Sequence, residues 1–258
     1  MIRVVYVLRR RSGMSLDEFY KYWFNNHGPL VASHATHMAI KRYIQVHTMD
    51  TPANRAMKEF RGLAEPYDGV AELWWENLEI LMERAATSEY QQAQQELLGD
   101  EKQFIDFSRS SMWMGIDLPQ VNPVPENIVA SKNSPLVKLY YIFHRLPNLS
   151  RDEAQLYWRM NHGPFIRSHA AEAGIKRYIQ VHTMFDDMIE QARINRGGME
   201  DIYDGHAELW YDQFELAGRF ETPQYQLINK LAKEDECKFI DFSRSAMWMG
   251  KEHVIIDR

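Results

Sequence analysis

Hydrophobic and polar positions alternate along several short segments of the chain, and this alternation predicts strands. Residues 2–9 and 137–144 are rich in β-branched and aromatic side chains, so each is predicted as a strand buried on at least one face. Residues 41–48 alternate strictly, and Ile44 and Val46 lie on the side that suits a helix-covered core. The other side carries Tyr43, Gln45 and His47. That second side is predicted to face a polar cavity or a wet interface.

A helical pattern follows each of the two first strands. Residues 15–18 and 150–153 are capping boxes, in which a serine accepts from the backbone three residues on and a glutamate reaches back. Gly28 is expected to end the first helix, because glycine accepts the left-handed conformation and Pro29 can begin a new helical turn. A second helical piece should follow in another direction, which leaves His27 at a helix break.

The remaining pattern completes one module. After a loop, an Asp-Gly turn leads into a strand in which Glu72 and Trp74 share one face. A long helix is predicted at about 78–98, and a closing strand at about 107–114. The order β-α-β-β-α-β is the ferredoxin-like arrangement, an α+β fold with two helices on one face of a four-stranded antiparallel sheet. The uncovered face of that sheet needs a partner.

The sequence repeats itself at an offset of 135 residues, which supplies the partner. Residues 40–49 recur without change as residues 175–184. We therefore divide the chain into one module at 1–117, a Pro-rich linker at 118–135 and a second module at 136–258. Two tethered sheets that face each other give a pseudo-symmetric barrel without another subunit. Further pairing of two such chains into a homodimer is left open.

Composition and charge exclude several classes of protein. With 45% hydrophobic and 26% charged residues among 258, the chain is typical of a globular protein. A formal net charge of −6 argues against nucleic acid as a partner. No apolar run approaches the roughly 20 residues of a membrane helix. Cys237 is the only cysteine, so no internal disulfide forms, and the first residues are not typical of a signal peptide. The expected compartment is the cytoplasm.

Several motifs recur in the same order in both copies. These are Asn-His-Gly-Pro, Tyr-Asp-Gly-x-Ala-Glu-Leu-Trp and Phe-Ile-Asp-Phe-Ser, and together they resemble the EthD family of the dimeric α+β barrel superfamily. The resemblance covers nearly all of both modules. It implies a cavity more firmly than a reaction, since relatives in that superfamily act as dehydratases, isomerases, cyclases and cofactor-independent oxygenases on small hydrophobic or polyketide-like substrates. No cofactor is expected.

Histidine supplies the candidate catalytic groups, because it titrates near neutral pH. Three pairs occupy equivalent positions in the two copies: His27 and His162, His34 and His169, and His47 and His182. Either His27 and His162 or His47 and His182 would be the base, with Glu72 and Glu208 as the partner acids. We expect His47 and His182 to share a face with these glutamates, so that a His–Glu pair divides acid and base duties. The alternatives are a helix-ending role for His27 and His162, and hydrogen bonds across the interface between the sheets for the strand residues.

Aromatic side chains on the predicted strands supply the candidate binding groups. They are Tyr6, Tyr43, Trp74, Tyr141, Tyr178 and Trp210. They favour a small hydrophobic or aromatic molecule as the partner. No metal is expected: His34 and His37 are three residues apart on a predicted helix, as are His169 and Glu172, but this spacing is common by chance.

The combined hypothesis is a cofactor-independent lyase, of the dehydratase type, or an isomerase. Its substrate would be a small hydrophobic, aromatic or polyketide-like carbonyl or hydroxy compound, and acid–base catalysis by histidine and glutamate would drive the reaction. Two alternatives stay open. One is a non-catalytic protein that binds a small molecule or acts as a scaffold, and the other is a cofactor-independent monooxygenase.

Overall fold

A computed structural model describes residues 1–122, 128–185, 187–199 and 201–258. In these residues the antiparallel strands close into a barrel in the order β1-β3-β2-β8-β5-β7-β6-β4. Their bounds are β1 (Ile2–Leu8), β2 (Arg42–Thr48), β3 (Gly69–Trp75), β4 (Ser111–Val121), β5 (Leu136–Arg145), β6 (Ile175–Met184), β7 (Gly205–Asp212) and β8 (Ile240–Asp257). Each module keeps its four strands together, and the pairs β2–β8 and β4–β6 join the modules.

The helices cover the outside of the barrel. Their bounds are α1 (Leu16–Tyr22), α2 (Gly28–His34), α3 (Pro52–Arg61), α4 (Leu78–Ala85), α5 (Ser88–Glu101), α6 (Arg151–Tyr157), α7 (Gly163–Ser168), α8 (Ala170–Ala173), α9 (Asp187–Asn195), α10 (Gln213–Arg219) and α11 (Pro223–Glu236). Both predicted capping boxes are present. The predicted β-α-β-β-α-β order and the tandem α+β barrel are confirmed. The sequence repeat thus builds a two-sheet body from one chain.

The end of the first module differs from the prediction. Strand β4 begins at Ser111 and continues to Val121, so it enters the segment predicted as an irregular linker. Its last residues pair with β6, and the register shifts between Pro119 and Val121. A bulge of this kind accommodates a proline that cannot donate to a ladder. Residues 123–127 of the predicted linker lie outside the described residues.

The two faces of β2 are the reverse of the prediction. Ile44 pairs with Glu72 on β3, so both side chains project to the same side of the sheet. That side is the barrel interior, where Ile44 joins a buried cluster. Tyr43 lies on the outer side and packs in the cluster beneath the helices. The prediction that His47 and Glu72 share a face is therefore wrong. Because helices bury one face and the second sheet buries the other, alternation does not identify which is which.

The predicted helix break at Gly28 is also wrong. The helix continues through one π-helical turn, Trp23–His27, and Gly28 has right-handed angles of φ −56° and ψ −53°. The glycine is required for space instead, because a Cβ atom there would lie 3.1 Å from the side-chain nitrogen of Gln45. Gly163 is equally crowded in the second copy. His27 therefore ends a π turn, an irregularity that often occurs at functional sites.

The segment predicted as a loop between the second and third strands contains a helix in each module, α3 and α9. Both helices cross to the other module. Met57 of α3 packs against the outer core of module two, and Ile189 of α9 belongs to the outer core of module one. We call α3 and α9 the capping helices. Their apolar residues are explained only by contacts with the other half of the chain.

Candidate active site

A cavity lies between the helices and the outer face of the sheet in each module. Cavity one, in the first module, has a volume of about 650 Å³, and cavity two, in the second, about 670 Å³. The sheet and helices of one module form most of each lining. The capping helix of the other module completes it, α9 at cavity one and α3 at cavity two. Spaces of this size enclose most of a small organic ligand.

A pair of equivalent ion pairs fastens the capping helices. Arg61 at the end of α3 contacts Glu236 through Nε at 2.7 Å and through Nη2 at 3.2 Å. Arg196, just after α9, contacts Glu101 in the same two ways at 2.8 Å and 3.1 Å. All four residues line the cavities. Each site is therefore assembled from both modules, and a charged clamp with bidentate geometry holds it together.

A histidine paired with an aspartate lines each cavity. His27 Nδ1 lies 2.7 Å from Asp100 Oδ2, and His162 Nδ1 lies 2.9 Å from Asp235 Oδ2. Both histidines are buried and end the π turns described above. Their Nε2 atoms have no hydrogen-bond partner among the described residues. An aspartate at Nδ1 fixes the tautomer with the proton on that nitrogen, which leaves Nε2 as a proton acceptor.

The aspartates are held in their charged form. Burial acts to raise the pKa of Asp100, but hydrogen bonds from His27 and from Tyr22, whose hydroxyl donates at 2.7 Å, outweigh it and hold the pKa below its ordinary value. The same balance lowers the pKa of Asp235, where Tyr157 is the second donor. A charged carboxylate that accepts two hydrogen bonds keeps the adjacent imidazole in one orientation.

Tyr43 presents a fixed hydroxyl to cavity one. This oxygen accepts from Trp23 Nε1 at 2.9 Å and from Gln45 Nε2 at 3.1 Å. Its own proton has no protein acceptor in the part of the chain that the structure describes. Burial raises the pKa of Tyr43 above its ordinary value, so the proton stays on the oxygen. Tyr178 has equivalent contacts in cavity two, and each hydroxyl is therefore available to donate to a ligand.

The predicted strand histidines lie beneath these tyrosines. His47 Nε2 is 3.1 Å from Gln45 Oε1, and its ring stacks on Trp23 with centroids 5.0 Å apart. His182 has the same arrangement, with Trp158 at 4.6 Å. Burial lowers the pKa of His47 to about 2 and that of His182 to about 4. Neither histidine lines a cavity, and His47 instead orients the amide that holds Tyr43.

The predicted binding aromatics divide between the two faces. Tyr6 lines cavity one and Tyr141 lines cavity two, as do the equivalent tyrosines described above. Trp74 and Trp210 lie on the opposite face, inside the barrel. This division follows from the alternation of the strands, since residues 72 and 74 share a side and residues 71, 73 and 75 take the other.

The predicted acids, Glu72 and Glu208, are buried in the barrel interior. Arg3 Nη1 contacts their carboxylates at 2.7 Å and 2.9 Å, and Lys138 Nζ contacts them at 2.8 Å and 3.0 Å. Tyr140 also donates to Glu72. Burial, followed by the neighbouring carboxylate of Glu208, holds the pKa of Glu72 above its ordinary value. These acids do not reach the cavities, and the predicted pairing of His47 with Glu72 does not occur.

A metal ligand set is formally present in the same interior. Glu72, His206 and Glu208 place ligand atoms within 4.8 Å of one another. Arg3 and Lys138 already occupy the carboxylate oxygens, however, and supply the positive charge that an ion would bring. The donor set therefore suits a buried ion-pair network better than a metal.

Sequence reasoning missed a set of cavity residues that carry charge. Glu101, Glu236, Arg61 and Arg196 line the cavities, and Asp100 and Asp235 contact the lining histidines from behind. Each pair recurs at the same offset of 135 residues as the recognised motifs, and this was the available signal. The pattern gave no sign that an arginine in one copy meets a glutamate in the other.

Comparisons with known proteins agree with this fold. A family model described as EthD domain matches residues 11–108 and 146–243. Among solved structures, an anthrone oxidase-like protein is 12% identical with a TM-score of 0.54, over 98% of this chain and 93% of that one. A putative monooxygenase from Lactobacillus acidophilus NCFM is 10% identical with a TM-score of 0.47, over 98% and 94%. At such identities the similarity concerns the fold alone. A search of curated proteins found no match. Every helix among the described residues is too short or too polar to cross a bilayer.

Proposed function

Because the chain belongs to the EthD family and carries the same histidine–aspartate pair at both cavities, we propose that it is a cofactor-independent lyase or isomerase. Its substrate is a small hydrophobic, aromatic or polyketide-like compound with a carbonyl group and an adjacent acidic C–H bond. The observation that carries this proposal is that the Nε2 atoms of His27 and His162 lack a hydrogen-bond partner among the described residues, while each histidine lines a large apolar cavity. The chemistry needs a base and a hydrogen-bond donor, and both are present.

His27 is the general base in cavity one. Its Nε2 atom takes a proton from the carbon next to the carbonyl group, and the electron pair of that C–H bond moves onto the carbonyl oxygen. Asp100, bonded to Nδ1, stabilises the imidazolium that forms and keeps the ring in place. His162 and Asp235 perform the same step in cavity two. The sequence left either the helix or the strand histidines as the base, and this assignment keeps the helix pair and drops His47 and His182.

Tyr43 stabilises the oxyanion that the proton transfer creates. Its proton has no protein acceptor among the described residues, and Trp23 and Gln45 hold its oxygen from behind. A preorganised donor in an apolar site stabilises developing charge more than the same donor does in water. Tyr178 occupies the equivalent position in cavity two. The tyrosine thus takes the role of the donor that was predicted for Glu72.

The group that receives the proton from the imidazolium then determines which reaction occurs. If the substrate carries a hydroxyl group one carbon further along, His27 returns its proton to that group, the C–O bond breaks and water leaves, which is a dehydration. If no leaving group is present, the proton returns to a different carbon, which is an isomerisation. Either route balances without an oxidant or a cofactor.

The test is proton exchange in D2O. We would incubate the protein with aryl ketones and β-hydroxy ketones and follow loss of the α-proton, and formation of enone, by NMR. His27→Asn combined with His162→Asn should lower the rate by about 10²- to 10⁴-fold, the usual contribution of a general base. The matched control is His34→Asn with His169→Asn, which alters histidines that do not line the cavities.

Two outcomes would count against the proposal. An unchanged exchange rate in the His27 and His162 double variant would remove the base, and binding without exchange for every ketone would leave a ligand-binding protein. Oxygen consumption in the same assay would instead support ring oxidation. Circular dichroism of each variant would verify that the fold is kept.

A further inference from the structure

The two cavities have nearly equal volumes but different floors. Met38 and Leu97 are buried lining residues of cavity one, and the equivalent positions in cavity two hold Ala173 and Ala232. All four side chains are less than 9% exposed, so these positions lie deep in the sites. Two long side chains are thus replaced by methyl groups in cavity two, while Ile228 lines cavity two where the first module has Ala93. Cavity two therefore gains space beside Ala173 and Ala232.

Near the surface, cavity two has the larger side chains and cavity one the smaller ones. Cavity two has Phe60 and Phe220 where cavity one has Asn195 and Ala85. Phe60 is 43% exposed, which places it at the mouth. Two phenyl rings thus add flat apolar surface to the lining of cavity two, whereas the equivalent positions of cavity one carry an amide and a methyl group. The two cavities therefore reach similar volumes with differently placed side chains.

The polar groups of the two floors also differ. Trp75 lines cavity one, and its Nε1 atom donates to the carbonyl oxygen of Met38 at 2.8 Å. Its partner by sequence, Tyr211, lines cavity two and is 8% exposed. The hydroxyl of Tyr211 has no hydrogen-bond partner within the described residues. A hydroxyl that lines a cavity without a protein partner is available to bond an oxygen of a ligand.

We propose that the two cavities bind different ligands, and that cavity two is the site for a flat fused-ring compound with an oxygen substituent at its buried end. The alanines at 173 and 232 make room for the second ring, the phenyl groups at the mouth flank it, and Tyr211 bonds the oxygen. Cavity one takes a smaller, single-ring compound whose polar group stays near Asn195. This inference rests on the proposed function in treating both cavities as substrate sites.

The probe for this difference is 2-naphthol, with naphthalene as the analogue that lacks the hydroxyl group. Isothermal titration of the intact chain should give one 2-naphthol site per molecule. Ala232→Leu places in cavity two the residue that cavity one has, and it should weaken 2-naphthol at least about tenfold, because an added isobutyl group overfills the floor. Leu97→Ala is the reciprocal variant and should create a second site.

A second variant keeps the proposal testable if the leucine disturbs folding. Tyr211→Phe should weaken 2-naphthol about threefold to tenfold, the range of one hydrogen bond, and leave naphthalene unchanged. Two equivalent sites in the unaltered protein, or unchanged binding in Ala232→Leu with an intact thermal transition, would overturn the inference.

These measurements distinguish a failure of the ligand inference from a failure of the proposed function. His169→Asn alters a histidine that does not line either cavity, so it should keep 2-naphthol binding. If unequal binding is observed while no ketone is turned over, the inference stands and the proposed function falls. If turnover depends on both histidines but the two cavities bind 2-naphthol equally, only the inference falls.

Discussion

The barrel interior and the two cavities use opposite faces of the same strands, yet they treat polar side chains in different ways. Inside the barrel, Glu72 and Glu208 are bonded to Arg3 and Lys138. On the outer faces, His27 has a nitrogen without a partner among the described residues, beside about 650 Å³ of space. Buried charge thus joins the two modules, both in the interior and at the capping helices, whereas the proposed chemistry uses a histidine nitrogen beside each cavity.

The largest test of this comparison removes one cation from the interior. Lys138→Met leaves Glu72 and Glu208 buried with one positive partner fewer. We expect the free energy of unfolding to fall by about 3–5 kcal/mol, the usual cost of an uncompensated buried charge. Denaturant unfolding measures this change. The control is Lys176→Met, which breaks a half-exposed pair with Glu215 and should cost about 1 kcal/mol or less. Equal losses in both variants would show that the interior cluster is no more important than a surface pair.

The second test changes the cavities and leaves the interior alone. Asp100→Asn together with Asp235→Asn removes the charge that orients and stabilises the imidazole at Nδ1. We expect the exchange rate to fall about 10²-fold, which corresponds to about 2.7 kcal/mol of transition-state stabilisation. The control is Tyr22→Phe with Tyr157→Phe, which removes one other donor to each carboxylate and leaves Lys238 bonded to Asp235. If the asparagine variants keep full activity while the phenylalanine variants lose it, the aspartates do not act through histidine.

A third test asks whether one module completes the site of the other. Arg61→Gln breaks the clamp between α3 and Glu236 at cavity two and leaves cavity one unaltered. We expect a loss of about 2 kcal/mol in stability, because Glu236 stays buried without its charged donor. 2-Naphthol binding at cavity two should weaken as well. The matched variant is Arg196→Gln, which breaks the equivalent contact at cavity one and should leave 2-naphthol binding unchanged. If neither variant alters ligand binding, the capping helices are not part of the sites.

The smallest effect is expected when the pH is lowered and the free energy of unfolding is measured. Burial holds the pKa of His182 at about 4, below the ordinary value near 6.5, and that of His47 at about 2. In the unfolded chain these histidines bind protons at pH values where the folded chain keeps them neutral. Their contribution to the free energy of unfolding is therefore fully present above about pH 6.5, and it is lost as the pH falls toward the pKa values of the folded chain. The loss should be on the order of 1 kcal/mol for each histidine over the first pH unit. His182→Phe, which keeps the stacking on Trp158, should flatten the acid slope of unfolding. His37→Asn, at an exposed position, should leave that slope unchanged.

The sequence predicted the element order because strong local signals repeat in both copies. Capping boxes at Ser15 and Ser150 and the alternation in residues 41–48 indicated the helices and strands without any long-range information. The capping helices were missed, since their apolar residues contact the other module and look unexplained within their own. The aspartate at position 100 was missed for a similar reason, as it is 73 residues from its histidine.

The sequence by itself determined that this chain is two copies of one β-α-β-β-α-β module and that His27 and His162 occupy equivalent positions in the two copies. Only the tertiary structure decided which face of each strand borders a cavity. A period of two tells which side chains share a face, but both faces are buried here, so the choice between interior and cavity depends on the partner that covers each one. The same dependence moved the proposed acid–base chemistry from Glu72 and His47 to Asp100, His27 and Tyr43.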